Sequence, residues 1–126
     1  MKIVKALLTT LLLISCFPTI ASEADYVKAH CQGIIEYRLP DLTRVDCLDE
    51  DHAWEYDFGK KWAEAIGQAL HYASHTGRRA GIVLIIEDNR DRLGYNRAKK
   101  VISHYGLAID ISTLEGSIFY HRNQAN

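Results

Sequence analysis

A short run of branched apolar residues constrains the fold of this chain most. Residues 82–86 have the sequence IVLII, which is the length of one strand and has no polar side chain on either face. Because the side chains of a strand alternate between two faces, such a run predicts a strand that is covered on both sides. Strands of this kind are typical of the centre of an α/β sheet.

The flanking segments have the periodicities of alternating helices and strands. Trp54, Tyr56 and Phe58 alternate with small or polar residues, as in a strand, and residues 59–74 carry one apolar stripe, as in a helix. We expect helices over residues 24–37, 59–74 and 91–105, strands over 43–48, 53–58, 81–87 and 107–111, and helix ends at Gly77 and Gly106. This order predicts an α/β fold, a three-layer sandwich with a central mixed sheet.

The amino terminus has the features of a secretory signal peptide. Lys2 and Lys5 precede an apolar stretch that is too short to span a bilayer, and Ala21 ends a segment suited to cleavage. We therefore expect residues 1–21 to be removed, leaving a single domain over residues 22–126 with no membrane span, in the periplasm or secreted. Lipid attachment at Cys16 is the less favoured alternative, because its neighbours match a lipoprotein box poorly.

Removal of the signal leaves two cysteines, Cys31 and Cys47, in a compartment that permits oxidation. A disulfide between them would close a loop of about 15 residues and stabilise the protein by roughly 3 kcal/mol. Two buried thiols are the alternative, because the sequence does not fix the distance between these residues. Both alternatives stay open at the level of sequence.

The mature chain is weakly acidic. Once Lys2 and Lys5 leave with the signal, 13 of the 15 basic residues stand against all 16 acidic residues, a net charge of −3. This balance excludes a general attraction to polyanions, so nucleic acid would have to be bound by a local basic patch. The candidates for phosphate contact are Arg78, Arg79, Arg97, Lys99 and Lys100. Ordinary solvated surface charge is the alternative for all of them.

Two strands joined by an acidic turn form the segment of greatest chemical interest. The hydrophobic pattern favours a hairpin register in which Asp46 lies opposite Glu55. The same register gives the pairs Arg44 with Asp57, Val45 with Tyr56 and Cys47 with Trp54. A slip of one residue would mix the polar and apolar faces, so we expect this register to be selected.

The Asp46–Glu55 pair needs neutralisation, since two carboxylates a few ångströms apart cannot both stay ionised without a large penalty. Arg44, a shared proton or a divalent cation can supply it. Asp57 would add a third carboxylate on the same face, and three acids beside one arginine favour a hard cation such as Mg²⁺. A solvated polar face on an edge hairpin is the alternative.

This arrangement resembles the PD-(D/E)XK nuclease superfamily, in particular its RecB-like members. The resemblance covers roughly residues 36–107 and is carried by Asp46 on one strand, Glu55 on the next, and Gln68 and Tyr72 on the following helix. In this family the two acids hold the catalytic metal, and the helix bears a Gln-x-x-x-Tyr motif. The resemblance therefore implies Mg²⁺ or Mn²⁺ held by Asp46 and Glu55 in a restriction-endonuclease-like core.

The chain departs from the family at one important position. The motif lysine, two residues after the second acid, is replaced by Asp57, which cannot supply a positive charge. Lys61 opens the following helix on the same stripe as Gln68 and can reach the acids from there, whereas Lys60 is less well aligned. Alternatively, Asp57 acts as an acidic variant that holds a second metal. Glu36 resembles the acidic residue that some members place before the hairpin.

The sequence therefore predicts a metal-dependent nuclease that hydrolyses phosphodiester bonds of nucleic acid. Its expected catalytic residues are Asp46, Glu55, Asp57, Lys61, Gln68 and Tyr72. The alternative is a catalytically silent binding or interaction module that kept the scaffold and lost the lysine. The net charge of −3 and the small size of the domain favour this alternative.

His71 and His75 form the other candidate for metal binding, because they lie four residues apart on a predicted helix. No HExxH pattern surrounds them, and no third ligand is evident at a useful spacing. Since histidine pairs at this spacing are common on helix surfaces, the sequence disfavours a zinc site here.

Overall fold

A computed structural model of the chain describes residues 20–116. The expected signal peptide, apart from its last two residues, and the Cys16 lipid site lie outside this range. The elements are α1 (Glu23–His30), β1 (Ile34–Arg38), β2 (Arg44–Leu48), β3 (His52–Phe58), a 3-10 turn (Gly59–Lys61), α2 (Trp62–Thr76), β4 (Arg79–Ile86), α3 (Asn89–Tyr105) and β5 (Ile109–Glu115). Within these residues, no helix is long and apolar enough to cross a membrane.

The five strands form one mixed sheet in the order β1-β2-β3-β4-β5. The pairs β1–β2 and β2–β3 are antiparallel, whereas β3–β4 and β4–β5 are parallel. The parallel pairs have helices in their connections, which is what a return to the same end of the sheet requires. The expected α/β fold with a mixed sheet is confirmed.

The apolar run on β4 is covered on both faces, as expected. Ile82 and Leu84 pack with residues of α2 and α3, whereas Val83 and Ile85 pack with Tyr26 of α1 and with their neighbours on β3. Ile82, Leu84 and Ile85 have no solvent-exposed surface. The sheet therefore lies between α1 on one face and α2 with α3 on the other.

The predicted helix over residues 24–37 was wrong in its second half. The helix ends at His30, and residues 34–38 form the edge strand β1. Cys31 is joined by a disulfide to Cys47 on β2, with a Cα–Cα distance of 5.7 Å. At Gly33 a Cβ would lie 2.1 Å from the carbonyl oxygen of Leu48. These two contacts hold the chain against β2. Residues 34–38 therefore pair with β2 as a strand, although their apolar residues have helical spacing.

The ends of the long helices follow the sequence signals. Gly77 and Gly106 adopt left-handed conformations, with φ values of 65° and 60°, and end α2 and α3. The side chain of Asp88 caps α3 by accepting hydrogen bonds from the N–H groups of Arg90 and Asp91. The last strand is longer than the expected 107–111, because parallel pairing with β4 extends as far as Glu115.

A close backbone contact fixes the 3-10 turn that leads into α2. A Cβ on Gly94 of α3 would lie 1.8 Å from the carbonyl oxygen of Gly59, so α3 packs directly against the turn. The buried carboxylate of Asp91 accepts hydrogen bonds from the N–H groups of Lys60, at 2.9 Å, and Glu87, at 3.0 Å. The turn is therefore held between β4 and α3. Because α2 begins directly after the turn, these contacts also fix the start of α2.

Candidate active site

The predicted register of the β2–β3 hairpin is present at its turn end. Cys47 lies opposite Trp54. The next positions along the two strands are Asp46 and Glu55, and their carboxyl groups are in hydrogen-bonding contact. The structure therefore brings together the two acids that the sequence places opposite each other.

Beyond this point the hairpin differs from the expectation. The Asp46 carboxylate accepts a hydrogen bond from the N–H of Tyr56 at 2.8 Å, so a side chain occupies a position that a backbone carbonyl would take in a regular ladder. The expected pair of Val45 with Tyr56 was wrong. Val45 packs with Tyr72 of α2, whereas Tyr56 packs with residues of α1 on the opposite face. The strand therefore changes the face that it presents to the core at Asp46.

Arg44 does not take the position expected for it opposite Asp57. Its guanidinium lies 3.6 Å from the Glu36 carboxylate, and both side chains are more than half exposed. Glu36 lies on β1 and not on a helix, and it has a positive φ of 53°. Its negative charge contributes to raising the pKa of Asp46, although burial is the largest cause. Arg44 is thus paired with the exposed Glu36 and not with Asp57.

Glu55 is the least solvated member of the acid pair. The residue is 4% exposed, and its buried Oε2 accepts no hydrogen bond from the described residues. Burial, followed by the negative charge of Asp46, raises the pKa of Glu55 to about 10. Without a cation, Glu55 is therefore protonated at neutral pH and donates to the Asp46 carboxylate.

Gln68 and Tyr72 reach this pair from α2. The Tyr72 hydroxyl donates a hydrogen bond to Gln68 Oε1 at 3.0 Å. The Tyr72 hydroxyl, which has a single proton to donate, also lies within hydrogen-bonding reach of Glu55, and burial together with the nearby carboxylates raises the pKa of Tyr72. One turn of helix separates the two residues, so both lie on the face of α2 that covers β3. The sequence motif thus borders the acid pair.

Lys61 reaches a second pair of acids at the start of α2. Its Nζ lies 3.4 Å from Asp57 and 3.0 Å from Glu23 of α1. Asp57 is 2% exposed, and burial, with the adjacent Glu23 carboxyl, raises its pKa to about 7 despite the opposing effect of Lys61. Lys60, the less well aligned alternative, lies over the ring of Phe58 at 5.5 Å.

Glu23 is the residue of this site that the sequence analysis missed. It is the first residue of α1, after a capping box in which the Ser22 and Asp25 side chains bond each other's backbone N–H groups. This box was a readable signal for the start of the helix. The position of the Glu23 side chain beside Asp57 depends on how α1 packs on the sheet, and no local sequence pattern predicts that packing.

The predicted phosphate-binding residues are dispersed. Arg79 lies opposite His52 at the amino end of the parallel strands and forms an ion pair with Asp110. Asp57 lies near the other end of the same strands, opposite Leu84. Arg78 borders a groove of about 530 Å³ at the amino end. Three further candidates are exposed on α3, which packs over β4 and β5: Arg97, Lys99 and Lys100.

Comparison with known protein families, with curated proteins and with solved structures found no match to this chain. The resemblance to the PD-(D/E)XK nucleases therefore stays a prediction from the sequence. What the protein can do follows from the chemistry of the acid pair and of the groups around it.

Proposed function

We propose that the protein is a metal-dependent nuclease with a PD-(D/E)XK-like site, which hydrolyses phosphodiester bonds of nucleic acid outside the cytoplasm. One observation carries the proposal. Glu55 Oε2 is buried and accepts no hydrogen bond from the described residues, and its carboxyl group lies against that of Asp46. A buried carboxyl oxygen that accepts no hydrogen bond is destabilising, and a bound ion is one way in which such an oxygen is satisfied.

The residues of the acid pair fit a hard divalent cation. Mg²⁺ prefers oxygen ligands and is bound through one or two carboxylates, with water in the other positions. Asp46 and Glu55 would hold the ion. Burial raises the pKa of Glu55 most, and the negative charge of Asp46 raises it further; a shared positive charge would oppose both effects.

The surrounding side chains have roles that follow from their contacts. A bound cation supplies a water of lowered pKa and stabilises charge on the phosphate. Lys61 brings a positive charge to the carboxyl end of β3, where the motif lysine is missing. Asp57, with a pKa of about 7, can accept a proton from an attacking water at neutral pH. Gln68 and Tyr72 orient the Glu55 carboxyl through the hydroxyl contact.

Cleavage of labelled polymers tests this function. Purified protein should cut single- or double-stranded DNA or RNA in Mg²⁺ or Mn²⁺ and lose this activity in excess chelator. Asp46→Asn and Glu55→Gln should abolish cleavage, whereas Glu64→Gln, on the exposed surface of α2, should leave it unchanged. A wild type that cuts none of these polymers, or a Glu55→Gln variant that cuts as well as the wild type, would contradict the proposal.

A silent binding module is the second candidate, and the contacts of Lys61 favour it. This ammonium group is held by Glu23 and Asp57, so its charge is already balanced by two carboxylates. Arg79 is likewise balanced by Asp110. Protein that binds Mn²⁺ at the acid pair and shifts labelled nucleic acid on a gel, yet cuts none of it, would establish the module instead of the enzyme.

A further inference from the structure

A second group of metal-ligating side chains lies where the β1–β2 turn meets α2. Asp41 in the turn and His71 and His75 on the helix place three ligand atoms within 4.8 Å of one another. The sequence analysis found no third ligand for the histidine pair. Asp41 is 30 residues from His71 along the chain, so only the fold brings it close to the histidine pair.

Both imidazoles approach the same carboxylate oxygen. The Nε2 atoms of His71 and His75 lie 2.7 Å and 3.5 Å from Asp41 Oδ2. The two rings are adjacent, with centroids 4.6 Å apart, since residues four apart share one face of a helix. A single ion pair would need only one histidine. Two imidazole nitrogens around one carboxylate oxygen form a donor set for a cation.

The turn fixes the Asp41 carboxylate before any ligand binds. Its Oδ1 accepts hydrogen bonds from the Thr43 hydroxyl at 2.6 Å and from the Thr43 N–H at 3.1 Å. This leaves Oδ2 directed at the histidines. Leu42 closes the turn at a positive φ of 74°, and its N–H donates to the Leu39 carbonyl at 2.9 Å. The carboxylate is therefore oriented by Thr43, whose hydroxyl also lies 3.3 Å from His71 Nε2.

We propose that Asp41, His71 and His75 form a zinc-binding site that pins the β1–β2 turn to α2. Two imidazole nitrogens and one carboxylate oxygen suit Zn²⁺ and do not suit Mg²⁺, which selects oxygen ligands. The three side chains are between 34% and 39% exposed, which leaves room for a water molecule as fourth ligand. This site shares no residue with the acid pair and does not depend on the proposed nuclease activity.

Calorimetric titration with ZnCl₂ tests the site. The wild type should bind about one Zn²⁺ per chain at this cluster. His71→Ala and Asp41→Asn should each weaken binding by about 100-fold or more, since loss of even a hydrogen-bond partner of a ligand weakens metal binding by roughly 10- to 100-fold. His104→Ala, an exposed histidine on α3, should change nothing. Glu55→Gln should also bind zinc normally, which separates this test from that of the nuclease.

Cobalt substitution and heating provide readouts that do not depend on affinity alone. Co²⁺ bound by nitrogen and oxygen ligands in four-coordinate geometry absorbs visible light, and His71→Ala should remove this absorption. Zn²⁺ should raise the thermal midpoint of the wild type but not that of His71→Ala, because a ligand stabilises the state that binds it. Thr43→Ala removes a hydroxyl that contacts Asp41 and also lies 3.3 Å from His71 Nε2, and it should weaken binding by about tenfold.

Three results would overturn the proposal. The first is no heat and no thermal shift with ZnCl₂ in the wild type. The second is zinc binding that survives His71→Ala and Asp41→Asn in folded protein. The third is an equal loss of binding in His104→Ala, which would place the zinc elsewhere.

Discussion

Replacement of Glu55 by glutamine tests whether ionisation of Glu55 is unfavourable in the folded protein in the absence of a cation. Burial and Asp46 raise the pKa of Glu55 to about 10 in the folded protein, against an ordinary value of 4.5. Between these two pH values the unfolded chain releases the Glu55 proton and the folded protein keeps it. Because the folded pKa is raised, the stability from this proton is fully present below pH 4.5 and is lost as the pH rises toward 10.

The size of the effect follows from the distance between pH 7 and the unfolded pKa. The interval is about 2.5 pH units, and each unit corresponds to about 1.36 kcal/mol. The rise from pH 4.5 to pH 7 should therefore lower the free energy of unfolding by about 3 kcal/mol through Glu55 alone, because the stability from its proton is progressively lost. Glutamine does not titrate, so Glu55→Gln should gain about 3 kcal/mol relative to the wild type over this range.

Urea unfolding at a series of pH values, with a chelator present, measures this gain. The difference in free energy of unfolding between Glu55→Gln and the wild type should grow steadily from pH 4.5 to pH 7. Glu64→Gln removes an exposed carboxylate from α2 and should show no such trend. A Glu55→Gln difference that stays constant with pH would refute the reasoning, because Glu55 would then be ionised in the folded protein.

Other substitutions test the parts that position the site. Gly94→Ala should destabilise the protein by about 1 to 3 kcal/mol in urea unfolding, because its Cβ would lie 1.8 Å from a carbonyl oxygen of the 3-10 turn. Gly67→Ala, whose Cβ would meet no described atom within 4 Å, should instead stabilise α2 by about 0.5 to 1 kcal/mol. Loss of the Cys31–Cys47 disulfide, by reduction or double serine substitution, should cost about 3 kcal/mol of unfolding free energy. Lys61→Met should lower the rate of nucleic acid cleavage at least about tenfold, and an unchanged rate would exclude Lys61 from the role of the missing lysine.

Most of the scaffold could be predicted because its signals are local. The apolar run at residues 82–86 indicates a strand covered on both faces, and such a strand implies layers on both sides. Gly77 and Gly106 end their helices because a left-handed residue is needed there. The hairpin register at Cys47 and Trp54 follows from keeping the apolar residues together.

The remaining features depend on contacts between distant segments. Residues 24–37 have roughly helical spacing, with Gly33 as a weak point, yet the disulfide from Cys31 and the sheet edge make the second half a strand. Val45 lies on the opposite face of the sheet from the one expected, because the Asp46 side chain accepts a hydrogen bond from the N–H of Tyr56. No hydrophobic pattern reveals this contact. Glu23 and Asp41 join their clusters from other parts of the chain, so their positions require the folded structure.

Calorimetric titration of Mn²⁺ at pH 7, in two buffers with different ionisation enthalpies, tests the central claim most directly. The acid pair should bind the cation and release about one proton, because a carboxyl that is protonated in the free protein must ionise to become a ligand. Glu55→Gln should lose both the binding and the proton release. Absence of binding in the wild type, or binding without proton release that Glu55→Gln retains, would contradict the metal site.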